Sequence, residues 1–141
     1  MSIWKKAISV EALETAHLNS ATTHLGIEFL EVGDDFIRAR APVDSRAAWG
    51  EGLHGAAAIV LAETLGSCGA HYATPPNLRS VGLSINANYL KTPTSGWITG
   101  ITRPLRNDDT GQSWQIDITD DEGALVCVSR ITMALLNNRQ S

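Results

Sequence analysis

Apolar and polar residues change their period along this chain, and the changes mark its elements. Between Ser9 and Leu18 the apolar positions Leu13 and Ala16, with His17, fall on one face of a helix for which Ser9 is the N-cap. After Gly26, residues 27–32 and 36–41 read as two strands joined by the hairpin signal Gly33-Asp34-Asp35. Pro42 stops the second strand, and a loop over residues 43–53 follows. Residues 54–72 are then apolar on nearly every face and lack proline, which predicts a long helix enclosed by the rest of the domain. Beyond it the period falls to two. Val81, Leu83, Ile85, Ala87 and Tyr89 alternate with Gly82, Ser84, Asn86 and Asn88. Residues 97–103 form a second extended run, Trp114, Ile116 and Ile118 anchor a third, and residues 124–136 form a fourth after the turn Asp120-Asp121-Glu122-Gly123. Consecutive strands with short connections predict an α+β domain, an antiparallel sheet around one long central helix. No linker or internal repeat divides it, so residues 1–141 read as a single domain.

Composition mostly excludes. A chain of 141 residues, 43% hydrophobic and 18% charged, has the size and makeup of one domain with a real core. Fifteen acidic side chains against eleven Lys and Arg leave a net charge of −4, without the basic stripe of a nucleic-acid binder. No apolar run approaches the length of a membrane span, and the N-terminus lacks the apolar core of a signal peptide. The expectation is a cytoplasmic protein with neither nucleic acid nor membrane as partner. Cys68 and Cys127 lie in apolar runs and read as buried thiols. His17, His24 and His71 form no ligand spacing, so no metal is expected. Gly-rich phosphate loops are absent. Ser45, Ser67 and Ser129 lack the strand elbow of a hydrolase nucleophile.

Two places carry chemistry. Glu63 stands alone as a carboxylate inside an apolar helix, where it is either the wet edge of that helix or a general base or nucleophile. His54-Gly55 marks the loop-to-helix junction, where free N–H groups and the positive helix end favour a developing oxyanion. Nine residues of helix advance about 13.5 Å and turn about 900°, so Glu63 faces away from His54. Two such helices side by side in a dimer bring His54-Gly55 of one toward Glu63 of the other. Ser67, one turn beyond Glu63, shares its face and can orient the carboxylate.

With these residues in place, Gly52-Leu53-His54-Gly55-Ala56-Ala57 and Glu63-Thr64-Leu65-Gly66-Ser67 resemble hotdog-fold acyl-CoA thioesterases. Val43-Asp44-Ser45-Arg46, residues 81–88 and residues 114–118 are similar to the same branch, that of the 1,4-dihydroxy-2-naphthoyl-CoA, 4-hydroxybenzoyl-CoA and phenylacetate-pathway thioesterases. The resemblance implies a hotdog fold assembled as a homodimer or homotetramer, with active sites at the dimer interface. It implies an acyl-CoA substrate and no cofactor besides the CoA that the substrate carries. Glu63 is then the catalytic carboxylate, the Gly55 N–H binds the thioester oxygen, His54 helps to position it, and Ser67 is the hydroxyl one turn on. Trp49, Asn88, Tyr89, Lys91 and Arg106 are the expected substrate-binding residues, Trp49 and the apolar helix surface suiting an aromatic or medium acyl group. The chain departs from the branch in three places. The loop Ala47-Ala48-Trp49-Gly50-Glu51 lacks the branch's Gln, Tyr89 replaces a His, and Asn107-Asp108-Asp109-Thr110-Gly111 puts two acids where relatives carry small and basic residues. A hotdog hydratase or dehydratase, and a non-catalytic acyl-thioester-binding protein, are the alternative expectations.

Overall fold

In the computed structural model, which describes residues 1–138, Ser9 caps the first helix as its position predicts. Its hydroxyl accepts the Ala12 N–H at 3.0 Å, and α1 (Val10–Ala16) buries Leu13. A further turn, α2 (Ala21–His24), has no counterpart in the sequence reading, because four residues are too few to display a period. Strands β1 (Glu28–Val32) and β2 (Ile37–Pro42) pair as the expected hairpin. Within the segment read as a loop, β3 (Ala48–Trp49) and β4 (Gly52–Leu53) form a small ribbon turning at Gly50, whose φ is +65°.

The long helix α3 (Gly55–Ala73) then leads into four strands: β5 (Leu78–Tyr89), β6 (Trp97–Asn107), β7 (Gly111–Thr119) and β8 (Leu125–Asn137). With β1 and β2 they make one antiparallel sheet in the order β1-β2-β6-β7-β8-β5. Register shifts at Phe29/Glu31, Gly82/Ser84, Pro104/Arg106 and Ile118/Thr119 mark irregularities of the kind that curve a sheet. The inward residues of β2 and β7, Ile37, Ala39, Ala41, Trp114, Ile116 and Ile118, are buried against α3. Small residues set the distance between the layers. A Cβ at Gly69 would stand 2.7 Å from the Trp114 ring, and one at Gly66 would stand 2.5 Å from Ile131.

One expectation is corrected here. The helix is not enclosed: Leu61, Leu65 and Ala62 are buried toward the sheet, while Ala56, Glu63 and His71 are exposed on the opposite side. Alanine and glycine made every face look apolar in sequence, but only the stripe carrying the leucines has side chains large enough to anchor a core. A long wet stripe therefore runs along α3, and Glu63 lies on it.

Candidate active site

At the start of α3, His54 sits in extended backbone (φ −72°, ψ 130°) as the N-cap. Its Nδ1 accepts the Ala56 N–H at 3.0 Å, so in the neutral ring the proton is on Nε2. The His54 N–H is itself bound to the Ala47 carbonyl at 2.7 Å, which ties the helix start to the β3–β4 ribbon. Gly55 follows as the first helical residue, and its N–H has no acceptor within the helix. The Tyr89 ring lies across it: a Cβ on Gly55 would stand 3.0 Å from the ring, so only glycine leaves this N–H open to a ligand at normal packing distances. This corner thus sets the Gly55 amide beside the Tyr89 phenol, with the His54 imidazole on the residue before. Its donors suit an oxygen that gains negative charge.

Two turns further along α3, Ser67 Oγ donates to Glu63 Oε2 at 2.6 Å. Glu63 is exposed and opens onto a groove of about 370 Å³ between the end of α1 and the outer side of α3. Ala16, Thr64, Cys68, His71 and Tyr72 contribute its other walls. The groove also takes in His17, a residue that sequence reasoning placed on an α1 face without a role. The Cys68 thiol, 6% exposed, is pushed up to about 12 by burial, so it stays protonated.

The two halves of this chemistry do not meet within one chain. Gly55 and Glu63 are eight residues apart on one straight helix, about 12 Å along its axis. Trp49 stands 74% exposed on the β3–β4 ribbon, beside the His54 corner in the chain's connectivity. Asn88 is an exposed neighbour of Tyr89 at the end of β5. Both expected basic residues are engaged inside the chain. Lys91 Nζ is held by Asp120, which keeps that carboxyl below its ordinary range and the ammonium above its own. Arg106 binds Asp108 at 2.6 Å, and Asp108 also accepts the Thr110 and Gly111 N–H groups, so its carboxyl is held far below the usual range. The acidic loop is therefore a capped turn whose first acid is neutralised locally. It borders the C-terminal end of α3 at Ala73, a helix length of about 28 Å from His54.

Comparison with known proteins identifies the family of the chain. The thioesterase superfamily model matches residues 51–127, from just before the His54 corner into β8. The chain is 42% identical to the 1,4-dihydroxy-2-naphthoyl-CoA hydrolase of Escherichia coli, over 95% of this chain and 99% of that protein. It is 37% identical to the proofreading thioesterase EntH of Cronobacter turicensis, over 95% and 98%. Among solved structures, a thioesterase from Haemophilus influenzae superposes with a TM-score of 0.92 at 41% identity, covering 96% of this chain and 95% of that one. A mutant thioesterase from Pseudomonas aeruginosa superposes with a TM-score of 0.93 at 35% identity, covering 97% and 100%.

Proposed function

We propose a reaction for this chain from the premise that it belongs to the thioesterase superfamily and is a thioester hydrolase of the hotdog fold: it cleaves an aromatic acyl-CoA to the free acid and CoA. The single observation that carries the reading is the Ser67–Glu63 hydrogen bond at the mouth of the groove. It holds a carboxylate on a wet stripe of an otherwise apolar helix, beside a cleft of the size an acyl group needs. The mostly apolar walls of Ala16, Cys68 and Tyr72, and the acyl groups named for the E. coli relative, support an aromatic acyl chain.

The site is completed by a second copy. Strand β5 is twelve residues long and lies at the end of the sheet, with Leu83 and Tyr89, and Leu90 just beyond it, more than half exposed. Such an edge is a template for another strand. Pairing it with the same edge of a partner about a twofold axis sets two α3 helices side by side and antiparallel. The Gly55 N–H of one protomer then faces Glu63 of the other. The amide and the His54 Nε2–H hydrogen-bond the thioester oxygen as it gains charge. Glu63 either attacks the carbonyl carbon, or takes the proton of a water that attacks it. The C–S bond breaks, the electron pair leaves on sulfur, and the thiolate takes up a proton. In the first route this leaves a mixed anhydride on Glu63, and a water attacking its acyl carbon breaks the bond to the Glu63 oxygen, releasing the acid and restoring the carboxylate; in the second the acid forms directly. No cofactor beyond the substrate's own CoA takes part. No described helix is long and apolar enough to cross a membrane.

Thiol release from a panel of acyl-CoA esters, followed with Ellman's reagent, tests this reading. Turnover of aromatic acyl-CoAs supports it. Binding without thiol release from any of them overturns it in favour of an acyl-thioester-binding protein. Ser67→Ala is expected to lower kcat about tenfold with little change in KM, since it removes one hydrogen bond to a charged group at a partly exposed position. An unchanged kcat would show that the bond does not orient the carboxylate.

A further inference from the structure

Of the polar rings lining the groove beside Glu63, those of His17, His71 and Tyr72, the His17 ring is held from three sides. His17 closes α1, and its Nδ1 lies 2.7 Å from the Leu13 carbonyl oxygen. A carbonyl has no proton to give, so Nδ1 carries the hydrogen and, in the neutral ring, Nε2 carries a lone pair. The ring packs at 5.1 Å against Phe29, which keeps it from turning over. Its Nε2 is 3.6 Å from Cys68 Sγ, on the residue following Ser67. Because burial keeps that thiol protonated, the S–H is the donor and Nε2 the acceptor. A thiol is a weak donor. The groove thus holds a preset acceptor whose present partner is readily replaced by a stronger one.

We propose that His17 is a specificity-determining residue, whose Nε2 accepts a hydrogen bond from a hydroxyl on the acyl group of the substrate. The proposal rests on the hydrolytic reading above and deepens it. Cys68 follows Glu63 by five residues, about 7.5 Å along the helix, so the hydroxyl belongs at the far side of an aromatic-sized acyl group rather than next to the thioester. An acyl group with no donor there leaves the weak S–H contact in place and gains nothing. A hydroxylated one exchanges water for a fixed acceptor in a mostly apolar cleft, where an unpaired polar group is costly. The chain then favours hydroxyaryl over unsubstituted aryl thioesters through a residue on α1, outside the helix that carries Glu63.

The test compares kcat/KM for the ortho-, meta- and para-hydroxybenzoyl-CoA isomers with that for benzoyl-CoA. In the unaltered protein at least one isomer should exceed benzoyl-CoA by about ten- to a hundredfold. His17→Phe keeps an aromatic ring at this position but has no acceptor, and should bring that ratio near one whatever its effect on the absolute rates. His17→Gln, which can place an amide oxygen near the position of Nε2, should restore part of the preference. Cys68→Ser gives the acceptor a stronger resident donor and should reduce the preference while leaving the fold intact. A purely structural role for His17 would lower all four substrates together and leave the ratio unmoved, and that result overturns the proposal. So does a ratio near one in the unaltered protein. The same ratio read as binding of the four esters to Glu63→Gln separates the two claims. Selective binding without turnover by the unaltered protein overturns the hydrolytic reading alone, whereas turnover with equal affinities overturns the role of His17 alone.

Discussion

Glu63→Gln is expected to lower kcat/KM for thioester hydrolysis by about 10²–10⁴-fold, the usual contribution of a positioned carboxylate in proton transfer. The amide has the same shape and can still accept the Ser67 hydroxyl, so the local geometry survives. What it loses is the basic oxygen needed to take a proton or attack a carbonyl. The side chain is exposed in the single chain, and exposed substitutions away from structural features shift stability by within about 0.5 kcal/mol. Activity and thermal stability should therefore part company: a collapsed rate with an unchanged unfolding midpoint. A residual rate within fivefold of the unaltered protein would remove Glu63 from the chemistry.

The largest expected effect on stability belongs to Trp114→Ala. Trp114 is fully buried, stacks on Trp4 at 6.1 Å, and donates its Nε1–H to Gln112 Oε1 at 2.8 Å. Gln112 in turn donates to Thr74 Oγ1 at 3.2 Å, and Thr74 donates to the Ala70 carbonyl, so a buried polar chain ties β7 to the end of α3. Truncation opens a cavity against Gly69, which has no side chain to fill it, and strands the Gln112 oxygen. The cavity alone costs about 3–5 kcal/mol and the stranded acceptor about 1–3 kcal/mol more. For a domain whose whole stability is about 5–15 kcal/mol, that is severe. Urea denaturation should show a midpoint lowered by the equivalent of about 4 kcal/mol or more at unchanged slope. A loss below about 1 kcal/mol would mean that Trp114 is not the packing centre of the sheet–helix interface. Because the Glu63 face is on the other side of α3, whatever fraction remains folded should keep its substrate preference.

The contrast between these two residues shows what the sequence carried. Trp114 alternates with Ile116 and Ile118, and a period of two is enough to assign its strand and its inward face. Long elements were legible for this reason, and α2 and the β3–β4 ribbon were not, since a single turn or a two-residue strand leaves no period. The site was legible in part. Glu63, Ser67 and the His54-Gly55 corner stand out as polar or conformationally special residues in an apolar run, and Ser67 does lie against Glu63. Lys91 and Arg106 read as substrate-binding residues because the partners Asp120 and Asp108 are identified only once the turns close: Asp120 caps the turn before β8, and Asp108 the turn before β7. His17 escaped notice because its relation to Cys68 spans fifty-one positions, a contact made by packing α1 on α3. The openness of α3 was also hidden. Alanine is apolar enough to look buried and small enough to be left outside.

On that open stripe, in the proposed reaction, one catalytic site draws on two copies of the chain. Glu63→Gln removes the carboxylate. Gly55→Pro removes the amide donor at the one helical position that favours proline, after a residue already in the extended backbone that proline requires. The pyrrolidine carbons meet the Tyr89 ring, so Gly55→Ala, which places a Cβ in the same position but keeps the N–H, serves as the control for the steric part of the effect. Glu63→Gln and Gly55→Pro should each be nearly inactive alone. Co-refolded in equal amounts they should recover about a quarter of the unaltered rate, because half of the dimers are mixed and each mixed dimer contains one intact site out of two. Recovery at that level is the predicted result of the mixing experiment; a mixture no more active than its two components would contradict the shared site.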